Sequence, residues 1–251
     1  MWFKKSNIVT LAVLAVFIFL SMRLTEFDLT KFRDFRNMTD FLTQWFPMDF
    51  SKLPDMIQDS LETLAMAFLG SFLGLIIGLP ISFLAAWNTA PYKWVYHLSR
   101  IALSFVRSIP EIVFGLILLT ALGLGPFPAV IAIMFHNIGV LGKLISELVE
   151  ASDPGPQEAM KAVGAKNTFA SLFSIIPQIW PNVLSHYFYR FEVAIRTSLV
   201  LGFIGGGGIG QRLFNDFKTF QYSSVSLDVL IIMVIVIIVD LFGSYVRNKV
   251  I

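Results

Sequence analysis

Among its 251 residues the chain has no cysteine, which excludes disulfides, thiolate metal sites and a cysteine nucleophile. Histidine is nearly as scarce, and His97, His136 and His186 lie too far apart for a local metal motif. Charge is short as well. Only 14% of residues are Asp, Glu, Lys or Arg, where a soluble domain carries about a quarter. A formal net charge of +2, with basic residues scattered singly or in pairs, leaves no footprint for nucleic acid. No Walker lysine motif occurs, and no nucleophile meets a base or a ligand set, so an enzyme is not expected. His136 with Asn137 comes nearest. What fills the chain instead is apolar: 56% hydrophobic residues and a mean hydropathy of +0.73. The expected solvent is lipid.

A helix needs about 20 apolar residues to cross the hydrocarbon. Ser6–Met22 carries no charge and follows Lys4 and Lys5. No A-x-A-like cleavage site comes after it, so an uncleaved anchor is expected. Residues 26–55 are polar and aromatic, a loop with room for an interfacial amphipathic helix. Thr63–Tyr92 is free of charge and long enough for a second span plus part of the turn after it. Within it Gly70, Gly74, Gly78, Ser82 and Ala86 recur every four residues, a small-residue face for close helix packing. "GLGPFP" (Gly123–Pro128) divides the next stretch into spans near Arg100–Leu122 and Pro128–Val149. A fifth span carries "YRFEVAIR", and a sixth covers about Val225–Val246. The expectation is an all-α membrane protein of six spans with both termini on one side. Residues 1–54 form an anchor and outer loop, and residues 55–251 the core. The tally of Lys and Arg is nearly balanced. Lys4, Lys5, Lys93, Arg100, Lys161, Lys166, Arg247 and Lys249 fall on one side. Arg23, Lys31, Arg33, Arg36, Lys52, Arg212 and Lys218 fall on the other.

Two stretches invite a functional reading. In "GFIGGGGIGQRL", Gly205, Gly207 and Gly210 match the G-x-G-x-x-G spacing of a dinucleotide turn. That reading needs a strand before it and a βαβ unit around it. An apolar span precedes these glycines and a polar loop follows, so nucleotide binding is excluded. Glycine-rich backbone at membrane depth is tolerated where it is buried in protein or lines a cavity. Gly205, Gly206, Gly207, Gly208 and Gly210 are therefore expected to form an irregular turn that gates the outer end of a path. The second stretch is the polar segment 150–178. Pro156 suits the first turn of a short helix with Glu158 near its positive end. Gly164 can stop it, Asn167 can cap a second short helix, and Pro177 precedes the next span. The same chemistry also fits an ordinary amphipathic connector.

Charges at membrane depth are costly and mark functional candidates. Arg107 with Glu111, and Glu192 with Arg196, are spaced i,i+4, a distance at which side chains meet on one helix face. The first pair reads as a structural bridge with Arg107 snorkelling to the surface. Arg190, Glu192 and Arg196 lie deeper and leave a surplus positive charge. Either they attract an anion along the path, or they form a structural network around Glu192. His136 and His186 are expected to hydrogen-bond between helices.

Glu158, Ala159, Gly164 and Pro177 fall at the spacing of the E-A-A-x-x-x-G-x(9)-I-x-L-P loop of bacterial ABC importer permeases. Met160 replaces the second alanine, and Ser174 and Ile176 replace the motif's Ile and Leu. The blocks "RSIPEIVFGL", "GLGPFPAVIAI", "IGVLGKLISELVE" and "YRFEVAIRTSLVLGFIGGGGIG" extend the resemblance, which is closest to the permease subunit of phosphonate importers. It runs from about Asp55 onward. Gly205–Gly208 stands where relatives have Gly-Ala-Gly-Gly, and Ala194 where many carry Asn. The resemblance implies a type I ABC importer permease fold whose 150–178 loop is a cytoplasmic coupling helix. It implies a homodimer in the bacterial inner membrane, termini cytoplasmic, with two ATP-binding subunits and an extracytoplasmic phosphonate-type solute-binding protein. ATP and Mg would be used by the partner ATPase, with no cofactor on this chain. The implied cargo is phosphonate, phosphite or a phosphate ester. A permease for another small solute, such as methionine, is the alternative.

Overall fold

Proline and glycine decide where the apolar segments bend. The computed structural model describes residues 5–30 and 35–250, so Lys4, Lys31 and Arg33 of the charge tally lie outside the described residues. The contacts divide the chain into two units, 1–44 and 45–251. The first holds α1 (Lys5–Leu24) and α2 (Phe35–Thr43). In α1, Val9–Leu24 is apolar and exposed along its length. The second unit holds α3 (Leu53–Leu84), α4 (Lys93–Ser108), α5 (Glu111–Leu122), α6 (Pro126–Glu150), α7 (Gly155–Ala162), α8 (Asn167–Phe203), α9 (Gly208–Lys218) and α10 (Tyr222–Val250). Among the described residues the regular structure is all helical.

Three helices, α3, α6 and α10, are each long and apolar enough to cross a membrane. Two more crossings come as bent pairs: α4 with α5 at 83°, and α8 with α9 at 41°. With the shorter α1, six apolar elements result. The expected third span is thus not one straight helix. Ile109 is extended (ψ 120) and Pro110 stands just before α5; proline's missing N–H and its ring disfavour a continuing helix. The second span also shifts. It begins ten residues earlier than expected, because Pro54 sits in a first turn where its missing donor costs nothing, and it ends at Leu84.

The small-residue face of α3 packs on α6. A Cβ at Gly70 would stand 2.7 Å from the Ile133 side chain, and one at Gly74 2.6 Å from that of Asn137. Two main clusters fill the core. One gathers Met66, Ala67, Ala129, Ile133, Ala194, Ile195 and Leu201; the other gathers Leu75, Leu141, Ile145, Val149, Ile175, Ile179 and Val183. The second cluster explains a further difference. α8 runs unbroken through Pro177 and Pro181, because the buried face of Ile175, Ile179 and Val183 holds the helix together across both prolines. The second short helix expected from Asn167 is therefore the first turn of α8. Lys166, not Asn167, occupies the cap position, with no side-chain cap bond. Residues 45–54 pack with the core unit; there Asp49 N–H donates to Ser223 O (3.2 Å).

Candidate functional site

The charges at membrane depth meet across helices. Glu111, the first residue of α5, forms an ion pair with Arg190 of α8 (Nη2–Oε1 3.6 Å) and faces His136 Nε2 of α6 (3.2 Å). Arg190 Nε also donates to Asn137 Oδ1 (2.8 Å). The other nitrogen of His136 lies 3.2 Å from Ile109 O, a carbonyl left open by the break at Pro110. Arg190 and His136 are 8% and 9% exposed and Asn137 1%. The buried guanidinium is therefore neutralised and hydrogen-bonded, as a charge in low dielectric must be. His136 bridges helices as expected; His186 is half-buried and makes no such bond among the described residues.

The expected Arg107–Glu111 pair does not form. Its i,i+4 spacing presumes one continuous helix, and Pro110 interrupts it. Glu111 turns to Arg190 and His136, while Arg107 is exposed. The second pair does form. Arg196 Nη2 donates to Glu192 Oε1 at 2.5 Å, and Arg247 of α10 approaches the other carboxylate oxygen at 4.0 Å. Glu192 is buried, whereas 57% of the Arg196 side chain is exposed.

The glycine run is a turn that leads directly into α9. Gly207 and Gly208 have φ of +89° and +68°, a region closed to most side chains. Gly125 N–H donates to Gly205 O (2.9 Å), and Ile209 N–H to Thr63 Oγ1 (3.0 Å). Gly210 is helical, and a Cβ there would collide with Leu199 O. Above the turn lies a cleft of about 440 Å³ lined by Asp59, Glu62, Gln211, Arg212, Asn215 and Asp216 among others. Arg212 pairs with Asp59, and Lys52 approaches Asp216 at 3.9 Å.

The polar hairpin is anchored from beneath and open above. Gln157 Nε2 donates to Ser171 Oγ (2.8 Å), both buried, and Asp153 N–H donates to Gln178 Oε1 (3.0 Å). Gly164 follows α7 with φ +87°. Glu158, Ala159, Gly164 and Pro177 are exposed and Met160 half-buried. Val163 is 85% exposed, and the stacked pair Phe169 and Phe173 is exposed beside it. Motif spacing does not single out these three apolar groups. Among the described residues no cluster of His, Cys, Asp or Glu could hold a metal ion.

Residues 78–251 match the family described as binding-protein-dependent transport system inner membrane component. The chain is 36% identical to the phosphite transport system permease protein PtxC of Stutzerimonas stutzeri, over 80% of this chain and 74% of that one. It is 35% identical to the putative phosphite transport system permease protein HtxC of the same organism, over 82% and 73%. An inward-facing structure of the MetNI methionine ABC transporter superposes with a TM-score of 0.71, 19% identity, and coverage of 81% and 100%. The fold is thus shared with an ABC importer permease, and the chain belongs to the binding-protein-dependent transport system inner membrane components.

Proposed function

We propose that two copies of this chain form the membrane path of an ATP-driven importer for a phosphorus oxyanion: phosphite, phosphonate or a phosphate ester. The observation that carries this reading is the 35–36% identity to two phosphite permeases over four-fifths of the chain. The likeness to the methionine transporter, at 19% identity, carries the fold alone. In this reading two ATP-binding subunits hydrolyse ATP with Mg, and an extracytoplasmic solute-binding protein delivers the anion. Both termini lie in the cytoplasm, in keeping with the small excess of Lys and Arg on that side.

The hairpin of Glu158, Ala159, Met160, Gly164 and Pro177 is the coupling element. Its exposed top and its anchorage to α8 through Gln157 and Gln178 support that role. A push on it travels along α8, one rigid helix from Asn167 to Phe203, to the Gly205–Gly210 turn, which gates the outer end. Alternating access then follows as one bundle rocks against the other. Of the three charges on α8, Arg196 is the exposed one and open to a path, while Arg190 and Glu192 face Glu111 of α5 and Arg247 of α10. Purified complex in liposomes, supplied with binding protein and ATP, is expected to accumulate phosphite or methylphosphonate. Methionine accumulation with no phosphorus anion taken up would overturn the substrate reading.

A further inference from the structure

Arg107 is the last residue but one of α4, immediately before the break at Ile109 and Pro110 where the chain turns by 83° into α5. Its backbone is pressed against α6: a Cβ at Gly139 would stand 2.8 Å from Arg107 N and 3.2 Å from its Cα. That contact fixes its depth. Gly139 lies near the middle of α6, roughly 17 Å from Glu150 and 20 Å from Pro126 at ~1.5 Å per residue. Mid-span is deeper than the helix ends from which long side chains snorkel. Arg107 is also alone. Arg100, Arg190, Arg196, Arg212 and Arg247 all have carboxylate partners. Arg107 is the one arginine of the 45–251 unit without an ion pair among the described residues, and it is exposed.

A bare guanidinium facing lipid at that depth is costly. The backbone beside it leads to the same place. Helical hydrogen bonding stops at Ile109 and Pro110, and Ser104, Ser108 and Pro110 are exposed together with Arg107. Irregular backbone at membrane depth survives only against protein or a water-filled cavity. We propose that the elbow lines the translocation path and that the Arg107 guanidinium meets the passing oxyanion there. Guanidinium suits this work: its planar fork of donors matches two oxygens of a phosphonate or phosphite. Its counter-charge is supplied by the cargo, which explains why none of the described residues neutralises it. The inference rests on the oxyanion reading above.

The chain's lack of cysteine makes the test direct. Arg107→Cys puts the only thiol of this subunit at the elbow. In the full complex with binding protein and ATP, this variant is expected to assemble but to import phosphite and methylphosphonate about tenfold more slowly. A water-soluble methanethiosulfonate bearing an ammonium group should then restore much of the rate, and the sulfonate analogue should not. Arg107→Lys should retain an intermediate rate. Wild-type-like uptake by Arg107→Cys, a thiol that neither reagent reaches, or equal effects of the two reagents would each overturn the assignment. So would loss of assembly in both Arg107→Cys and Arg107→Lys, since the residue would then be an interface contact. A wild-type complex that imports no phosphorus oxyanion would instead sink the substrate reading itself, and this inference with it.

Discussion

A guanidinium taken out of water needs a carboxylate and hydrogen-bond acceptors, and Arg190 finds a carboxylate in Glu111 and an acceptor in Asn137. Removing one member strands the other. Glu111→Gln is therefore expected to destabilise the folded permease by about 3–5 kcal/mol, read as a lower melting temperature of the detergent-solubilised protein. Glu111→Gln combined with Arg190→Met should recover most of that loss, because no buried charge is left unpaired. If the double variant melts no higher than the single one, the pair is not what holds α5 to α8. Glycine supplies a second case. Gly74→Val should push α3 off α6, since even one added carbon stands 2.6 Å from the Asn137 side chain; thermal unfolding of the variant measures it, with a loss of about 1–3 kcal/mol expected for overpacking. Neither partnership of Arg190 was legible from its neighbours in sequence. Local spacing paired Glu192 with Arg196 and Glu111 with Arg107, because an i,i+4 rule carries no information about a break at Pro110 or about a helix that arrives from elsewhere.

Elements were more legible than their pairings. Small residues at every fourth position announced the face by which α3 meets α6, and "GLGPFP" announced the turn between α5 and α6. Punctuation failed where tertiary packing outweighed it. Pro177 reads as a helix boundary, yet α8 continues through it on the buried face of Ile175, Ile179 and Val183. The continuity matters for coupling, since a single helix joins the hairpin to the glycine turn. Gly164→Asp tests the hairpin itself. Nothing crowds a Cβ at that position, but its φ of +87° is strained for a side chain. The variant is expected to fold and to lose co-purification of the ATPase subunits, or their stimulation by the binding protein. Unchanged assembly and uptake would remove the coupling role. At the other end of α8, Gly207→Val forces a β-branched residue to φ +89° beside Pro126. Uptake should fall while the ATPase subunits remain bound; intact uptake would count against a gate.

For the whole molecule, scarcity of charge and abundance of apolar residues identified the solvent, and ordered sequence blocks identified the family before any contact was known. The bent crossings, the elbow at Arg107 and the cross-helix charges needed the fold, because each depends on residues far apart in the chain. A second copy, two ATPases and a solute-binding protein complete the proposed transporter. Its central claim is that this path carries a phosphorus oxyanion under ATP control. Uptake into liposomes containing the assembled complex measures that most directly, with labelled phosphite, methylphosphonate and methionine compared side by side. The account predicts accumulation of one or both phosphorus anions that requires ATP and binding protein, and none of methionine. Uptake of methionine with both phosphorus anions excluded would contradict it.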